Sequence, residues 1–439
     1  MRKYENSLGN KVSYIYFLSI VGMINYKEIL TIPPKISLDD ILNTENSLFK
    51  NKQVLKPNYT LRNLDDVLHR DDEIRKYYEY LKDIFIGVSP NNIFIYGKPG
   101  LGKTLLTKLV LEEVRKKADE RGIELCIINI NCDEVRSEHA ILQRLVKEMP
   151  SNEPRWILSN SRDKHNQYLK YLINHYQGII LIVLDELDKA DTPDMINKII
   201  RTESEASGQF PTIIGITNDL GLRDKFPSHL KSVLCENELI IKPYEAEQLT
   251  DIIKARVKIA YKPNVVDEIA IGLCAALAAQ EYGDVRRAID LLRISGELAE
   301  ERKSNSIEEI DVRKACDALE RDRFIEVIKT LPTQSKAVLL SCVYIDGSSK
   351  ENITSNIYSA YTKISTALGI DVLTQRRVTD LLSELNQLCI IEGYNEFRGR
   401  KGRKKVITKI TSKEQALITL YDDFEISAIK DMHPSVFLR

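Results

Sequence analysis

The sequence offers little support for a disulfide framework, a zinc site or a membrane span. Its seven cysteines include no CxxC pair and no paired Cys/His spacing, which argues against disulfides and zinc and fits a reducing, intracellular setting. The hydrophobic stretch near the N-terminus, Val12 to Ile24, is shorter than the ~20 residues that a membrane-spanning helix needs. A signal peptide is the alternative, but no A-x-A-like cleavage site follows the stretch. We therefore predict a protein without a membrane segment.

The sequence also lacks an excess of charge of either sign. Its 63 Lys and Arg residues and 64 Asp and Glu residues give a formal net charge of -1. Any affinity for nucleic acid must therefore come from a local basic patch rather than from the field of the whole protein. The length of 439 residues predicts two or three domains, at roughly 100 to 200 residues each.

The order of apolar segments predicts an α/β domain followed by helices. From Asn92 to Thr217, short apolar runs rich in β-formers alternate with helical stretches, which indicates a parallel sheet. Residues 245–320 show apolar positions at helical spacing. A third unit begins near Phe324, with three helical segments followed by a basic hairpin.

A phosphate-binding loop is the most specific motif in the chain. GKPGLGKT, from Gly97 to Thr104, matches G-x-x-x-x-G-K-[ST], follows the strand-like run NIFIY and opens a helical stretch. Its glycines let backbone N-H groups curl round phosphate oxygens, Lys103 supplies charge for the β- and γ-phosphates, and Thr104 offers its hydroxyl to Mg²⁺. A chance glycine turn is the alternative, which the matched flanks disfavour. The predicted nucleotide contacts are Gly97, Gly100, Leu101, Gly102, Lys103 and Thr104.

Polar residues follow two later strand-like runs. IILIVLDELD ends in a carboxylate pair, in which Asp185 would hold Mg²⁺ and Glu186 would act as general base on the attacking water. TIIGIT is followed by Asn218, whose amide could orient that water. Acidic residues at a strand end also serve as ordinary solubilising groups, and Asn218 is an ordinary turn former before Asp219. The phosphate loop favours the catalytic interpretation.

Two arginines and a tyrosine in the helical region are further candidates. GDVRRAIDLLR places Arg286 and Arg287 at the start of an amphipathic helix, where a cation opposes the helix dipole and an anion should offset it. The γ-phosphate is the candidate anion for Arg286, and a solvated surface arginine is the alternative. Tyr244 and Arg256 lie where the sheet domain passes into the helices. The Tyr244 ring could pack on a ribose or an adenine, or it could be a core residue.

The C-terminal region predicts a helix suited to the DNA major groove. This helix begins at Thr374 as N-cap and presents Arg376 and Arg377 in its first turn. The residues predicted to face inward are Val378, Leu381, Leu382, Leu385 and Leu388, and those predicted to face outward are Gln375, Arg376, Thr379 and Ser383.

A basic hairpin follows that helix. The eight residues from Arg398 to Lys405 contain six cations, punctuated by Gly399 and Gly402. Such a tip can reach phosphates or enter the minor groove. A solvated charge run or a localisation signal is the alternative, although the position after three helical segments favours the wing of a winged helix. The predicted DNA contacts are Arg376, Arg377, Arg398, Arg400, Lys401 and Arg403.

The order of these motifs resembles the archaeal Orc/Cdc-type initiators of DNA replication, over about Leu55 to Arg403. The resemblance implies an α/β fold, an AAA+ P-loop parallel sheet domain with a helical lid, plus a C-terminal winged-helix domain. The implied segments are a tail over residues 1–55, the AAA+ domain over 56–243, the lid over 244–322 and the winged helix over 323–425. ATP or ADP and Mg²⁺ are the implied cofactors.

The resemblance also assigns roles to single residues. LHRDDEI, from Leu68, is similar to a box that helps to enclose adenine in that family. Tyr244 and Arg256 match its nucleotide-contacting tyrosine and arginine, and Arg286 matches its sensor-two arginine. Residues 133–147 occupy the place of an insertion that touches DNA. Where that family usually has an arginine that acts in trans on a neighbour's nucleotide, this chain has FPSHLKS with His229, and a neutral histidine cannot replace a guanidinium group. Arg223 lies nearby in the sequence.

The implied function is that of an ATP-dependent origin-binding protein with a weak ATPase as its switch. Its partners would be origin duplex DNA, paralogous initiators and the replicative helicase, and its location would be cytoplasmic and nucleoid-associated. An AAA+ remodelling or clamp-loading ATPase is one rival, which leaves the basic wing poorly explained. An ATP-sensing transcriptional regulator is the other.

Overall fold

The computed structural model describes residues 47–57, 59–150, 162–190, 193–228, 231, 237–397 and 403–438. Contacts divide the chain into two units after Leu48, and the strands and helices that follow all belong to the unit from Phe49 onward.

Five strands form the sheet of the first domain. Their bounds are β1 (Ile93–Tyr96), β2 (Leu125–Asn131), β3 (Ile179–Asp185), β4 (Thr212–Thr217) and β5 (Asn237–Ile240). All pairs are parallel and the order is β2-β3-β4-β1-β5, so the predicted parallel sheet is confirmed. Because β4 lies between β1 and β3, the segments that follow these three strands are neighbours at the carboxyl edge.

The sheet is buried on both faces, as its near-continuous apolar strands require. Ile93 and Ile95 belong to the core on one face, while Phe94 and Tyr96 belong to the core on the other, which is the period-two alternation of a strand. The helices that accompany the sheet are α1 (Asp71–Leu81), α2 (Lys103–Glu120), α3 (Glu138–Glu148), α4 (Arg162–His175), α5 (Pro193–Ile200) and α6 (Leu222–Lys225).

Four helices make up the lid region. They are α7 (Ala246–Ala260), α8 (Glu268–Gln280), α9 (Val285–Glu301) and α10 (Glu309–Thr330). A short N-terminal strap, residues 49–55, lies on this region, because the amides of Lys50 and Asn51 both donate to the Ala260 carbonyl. The strap leads the chain from the lid toward the sheet domain.

In the described residues, the C-terminal region begins with three helices and a hairpin in the predicted order, and two further helices follow. The elements are α11 (Thr333–Asp346), α12 (Thr354–Leu368), α13 (Gln375–Gln387), β6 (Ile391–Phe397), β7 (Arg403–Ile410), α14 (Lys413–Asp422) and α15 (Ser435–Leu438). Helix α10 spans two domains, because Val312 and Ala315 are buried near its start while Phe324 and Ile328 lie in the C-terminal core. It therefore runs across the boundary predicted between residues 322 and 323. No helix in the described ranges combines the length and the apolar content that crossing a membrane requires.

Candidate nucleotide site and nucleic-acid interface

The predicted phosphate loop joins β1 to α2 at the carboxyl edge of the sheet. Gly100 and Gly102 have φ values of 79° and 83°, a region that glycine enters without the cost of a Cβ atom. Gly97 lets the loop pass close to the backbone of Ile241, since a Cβ on Gly97 would lie 2.9 Å from the Ile241 carbonyl oxygen. Leu101 is buried beneath the loop. The loop leads directly into the first residues of α2, and a helix N-terminus is a favourable place for an anion.

Lys103 is buried and held in place by three acceptors. Its Nζ donates to the carbonyl oxygens of Gly97 (2.7 Å) and Lys98 (2.8 Å) and to Oδ1 of Asn218 (2.7 Å). Burial lowers the pKa of the Lys103 ammonium, the Asp185 carboxylate opposes that shift and Arg286 adds to it. A phosphate at this point would favour the charged form of the lysine.

Thr104 and Asp185 meet as predicted for a magnesium site. The Thr104 hydroxyl donates to Oδ2 of Asp185 at 2.7 Å, so one oxygen ligand from the start of α2 and one from the end of β3 lie together. Such donors fit Mg²⁺, which binds through one or two protein oxygens plus substrate phosphates. Glu186 follows at φ 52°, a left-handed conformation that is uncommon for a residue with a side chain. Its carboxylate lines the same cavity.

Asp188 is a site residue that the sequence interpretation missed. Its Oδ1 accepts from the Thr217 hydroxyl at 2.9 Å and from the backbone N–H of Asn218 at 3.2 Å. Thr217 is fully buried. Asp188 thus ties the end of β4 to the segment after β3 and orients Asn218 toward Lys103. The available signal was its spacing, three residues after Asp185 in the same acidic motif.

A cavity of about 390 Å³ extends from the phosphate loop to the lid. Its polar end contains Gly100 to Thr104, Asp185, Glu186 and Asn218. The apolar residues at its other end include Val54, Pro57, Leu68, Ile252, Ile259 and Ile289. A ligand with a flat apolar part and an anionic tail matches this arrangement, and the volume lies in the range of about 300 to 1,000 Å³ for small-molecule sites.

Two stacked arginine and tyrosine pairs border the cavity. The Arg70 guanidinium lies 3.7 Å from the centroid of the Tyr244 ring, and both side chains are buried. Burial raises the pKa of Tyr244, with Arg70 opposing. The Arg256 guanidinium lies 4.9 Å from the centroid of the Tyr59 ring, and burial lowers the pKa of Arg256. The sequence interpretation did not single out Tyr59, because a lone tyrosine in a polar stretch carries no motif.

The two arginines at the start of α9, Arg286 and Arg287, differ in their exposure and in their partners. Arg286 is exposed, lines the cavity and forms no ion pair within the described residues. Arg287 is instead tied to Glu281, with 3.1 Å between Nη2 and Oε1. Asp284 caps α9, because its Oδ1 accepts from the backbone N–H of Arg286 at 2.8 Å, and the γ-phosphate stays the predicted anion for the Arg286 guanidinium. Arg286 is therefore the lid arginine placed to meet an anion in the cavity.

The helix predicted to begin after Thr374 is confirmed as α13, with one correction to its inward face. The Thr374 hydroxyl caps it, Arg376 and Arg377 are exposed, and four of the five predicted inward residues are buried. The prediction for Leu388 was wrong, since its side chain is 48% exposed. The helix ends at Gln387, so the chain turns away before the helical repeat can bring Leu388 inward.

Several predicted residues lie outside the part of the chain that the structure describes. Arg398, Arg400, Lys401 and His229 are not among the described residues. Arg403 begins β7, but its side chain is not described. The hairpin itself is antiparallel, with Phe397 paired to Arg403 and an irregularity at Glu392 and Gly393.

Comparison with family models matches three successive parts of the chain. Residues 88–223 match an AAA domain, residues 250–317 match a Cdc6 AAA+ ATPase-type lid domain, and residues 326–417 match a CDC6 C-terminal winged helix domain. The chain thus has an AAA domain, a Cdc6-type lid and a winged helix, which confirms the predicted fold class.

Whole-chain relatives agree with these domains. ORC1-type DNA replication protein 1 of Methanosarcina mazei is 38% identical over 396 residues, covering 89% of this chain and 94% of the relative. The protein of the same name from Sulfolobus acidocaldarius is 38% identical, covering 88% and 97%. The structure of Aeropyrum pernix ORC1 in complex with DNA has a TM-score of 0.72 at 33% identity, covering 87% of this chain and 98% of that one. This chain therefore belongs to the family of ORC1-type DNA replication proteins.

Proposed function

We propose that this chain is an ATP-dependent origin-binding protein that initiates or regulates chromosomal DNA replication. The observation that carries the proposal is the cavity beside Lys103, which joins an apolar end to a phosphate loop in a chain that also has a winged helix. Membership of the ORC1-type family supports a role in DNA replication. The structure of Aeropyrum pernix ORC1 in complex with DNA supports DNA as the ligand of the winged helix.

The site residues have defined roles in this proposal. Lys103 and the loop amides bind the β- and γ-phosphates, while Thr104 and Asp185 hold Mg²⁺. The metal, when bound, neutralises charge on the phosphate oxygens. Glu186 acts as general base on the attacking water, which the Asn218 amide orients.

Hydrolysis is a slow switch in this proposal rather than a source of work. FPSHLKS has His229 in place of the arginine that relatives of this kind use in trans, and an imidazole does not supply the fixed positive fork of a guanidinium. Nucleotide binding would then be the main signal, with hydrolysis as its timer.

The lid connects the nucleotide to the winged helix. Arg286 lies at the start of α9, and α9 packs on α10. Helix α10 continues into the core of the winged helix through Phe324 and Ile328. A γ-phosphate that draws Arg286 toward the cavity would therefore bias the angle between the ATPase domain and the winged helix, which is how ATP would control DNA binding.

DNA would be bound by both the winged helix and the AAA+ domain. The exposed side of α13, with Arg376 and Arg377, would enter the major groove, while Arg398, Arg400, Lys401 and Arg403 of the wing would contact phosphates or the minor groove. Residues 133–147 would add contacts from the AAA+ domain. Paralogous initiators and the replicative helicase are the proposed protein partners, and the nucleoid is the proposed location.

Immunoprecipitation from the host followed by sequencing of the bound DNA tests the biological role. Sites concentrated near replication origins would support the proposal, while sites dispersed over promoters would support a transcriptional regulator instead. A parallel strain carrying Lys103→Ala tests the switch. We expect this variant to stay folded but to lose tight ATP binding, because truncating one partner of a buried charged pair costs ~2 to 5 kcal/mol. Wild-type affinity for fluorescent ATP in the variant would contradict the assigned role of Lys103.

A further inference from the structure

The turn between α8 and α9 touches the phosphate loop directly. Lys98 occupies a variable position of the loop motif, and its Nζ lies 3.2 Å from the centroid of the Tyr282 ring. Asp284 lies against the same loop, because a Cβ on Gly100 would be 2.0 Å from its Oδ1. Two side chains of the lid thus contact two residues of the loop on either side of Pro99.

The backbone of this turn is tightly constrained. Tyr282 has a φ of 68° and Gly283 a φ of 71°. A Cβ on Gly283 would lie 2.6 Å from the backbone nitrogen and 2.5 Å from the carbonyl oxygen of Tyr244. The turn is therefore wedged against the segment that enters the lid. A bulky residue at positive φ costs free energy and persists only where its surroundings enforce it.

Burial does not account for the position of Tyr282. Its side chain is 65% exposed, so its ring gains little from the hydrophobic effect. The strained backbone of Tyr282 instead places its ring in contact with the Lys98 ammonium. A lysine charge over a tyrosine face is attractive because the ring carries a negative quadrupole on that face.

We propose that Lys98 and Tyr282 form a latch that holds the lid on the phosphate loop and so slows the release of bound nucleotide. The latch deepens the proposed function and rests on it. Both are positioning residues: they fix the turn whose Asp284 caps α9, and α9 begins with Val285 and Arg286 at the cavity. An opening lid must separate the two side chains, because one belongs to the loop and the other to the lid.

The first experiment measures release of a fluorescent ADP analogue by stopped flow, with unlabelled ATP as chase. Tyr282→Leu removes the ring without introducing a β-branched residue at positive φ, and Tyr282→Phe keeps the ring. Lys98→Met keeps the apolar stem and removes the charge. We expect about two- to fivefold faster release in Tyr282→Leu and Lys98→Met, the range for an exposed cation–π pair, and the wild-type rate in Tyr282→Phe.

A matched control comes from a cation–π pair that joins neither the lid nor the phosphate loop, since Lys76 and Tyr80 both donate instead to the Glu238 carbonyl at 3.1 Å. Lys76 lies 5.6 Å from the centroid of Tyr80, and both belong to α1. Lys76→Met should leave the release rate unchanged. The double variant of Lys98→Met and Tyr282→Leu should release nucleotide no faster than either single variant, because the two changes remove one shared contact. Additive effects would mean that Lys98 contacts the phosphates on its own, which overturns the latch.

A second measurement needs no nucleotide. Hydrogen exchange at the amides of residues 282–287 should be faster in Tyr282→Leu than in the wild type and restored in Tyr282→Phe. Wild-type exchange and release in Tyr282→Leu, or equal changes in both Tyr282 variants, would overturn the proposal. Failure of the wild type to bind any nucleotide would contradict the proposed function instead, while the exchange pattern would still decide whether the latch exists.

Discussion

The nucleotide site and the proposed DNA-binding end both present cations for phosphate, but they hold them in different ways. Lys103 is buried, has three acceptors and sits in a loop of fixed backbone geometry. Arg376 on α13 is exposed, and the wing carries its six cations in eight residues of sequence. The first arrangement suits one compact anion in one orientation. The second suits an extended polyanion, for which the number of charges matters more than the position of any one.

This difference has an electrostatic consequence. A buried lysine is poorly screened by salt, and its binding energy depends on the hydrogen bonds that replace its hydration. Exposed arginines are screened, and most of their contribution comes from the release of counterions. Changes at the nucleotide site should therefore show in turnover or affinity with little salt dependence, while changes at the wing should show in the salt slope itself.

The largest expected effect is on turnover at the nucleotide site. Glu186→Gln keeps the size of the side chain but removes the base, so we expect ATP binding to persist while single-turnover hydrolysis falls by ~10² to 10⁴-fold. Quench-flow measurement with radiolabelled ATP checks this. An unchanged rate constant would remove Glu186 from the role of general base and leave the water to another residue of the cavity.

The next effect belongs to the wing. If Arg398, Arg400 and Arg403 each neutralise a phosphate, replacing all three by alanine should reduce the slope of log K against log salt by ~0.9 per contact. Binding near physiological salt would weaken roughly a hundredfold on the same relation, for all duplexes alike. Titrating labelled origin and scrambled duplexes at several salt concentrations measures both. Wild-type affinity and slope would make the run a solvated charge face.

The sequence predicted contiguous features well and contacts between distant segments poorly. The phosphate loop, the carboxylate pair and the helix cap at Thr374 each occupy one short segment, where spacing alone sets the geometry. The contact of Lys98 with Tyr282 joins residues far apart in the chain, and so does that of Arg70 with Tyr244. Neither has a local pattern, because tertiary packing alone brings the partners together.

A smaller effect is expected for α13, the proposed recognition helix, than for the wing. Arg376→Ala should lower discrimination between the cognate duplex and a single mismatch by ~1 to 3 kcal/mol if its guanidinium meets a base edge. Non-specific affinity should change little compared with the wing variant. Competition titrations at one salt concentration measure the difference. Equal loss on cognate and scrambled duplexes would reassign Arg376 to a phosphate contact. ATP affinity should be unchanged, since α13 does not line the cavity.

The smallest expected effect tests whether the fixed geometry of the nucleotide site extends to Asp188. A single oxygen of this carboxylate, Oδ1, accepts hydrogen bonds from the Thr217 hydroxyl and from the backbone N–H of Asn218. Asp188→Asn keeps an oxygen acceptor at this position. Asp188→Ala removes the acceptor from both the buried Thr217 hydroxyl and the backbone N–H of Asn218. Losing such a contact costs about 1 kcal/mol, which corresponds to roughly a fivefold fall in turnover if Asn218 drifts from the water.

We therefore expect Asp188→Ala to lower kcat for ATP hydrolysis about fivefold, with Asp188→Asn closer to the wild type and KM little changed in either. Thr217→Val serves as the companion variant, because it removes the hydroxyl from the other side of the same contact while leaving the carboxylate in place. If Asp188→Asn is as slow as Asp188→Ala, the charge of Asp188 acts on the phosphates or on Lys103 rather than through the position of Asn218. If KM rises while kcat is unchanged, Asp188 supports ground-state binding, and the orientation of Asn218 is fixed by Lys103 alone.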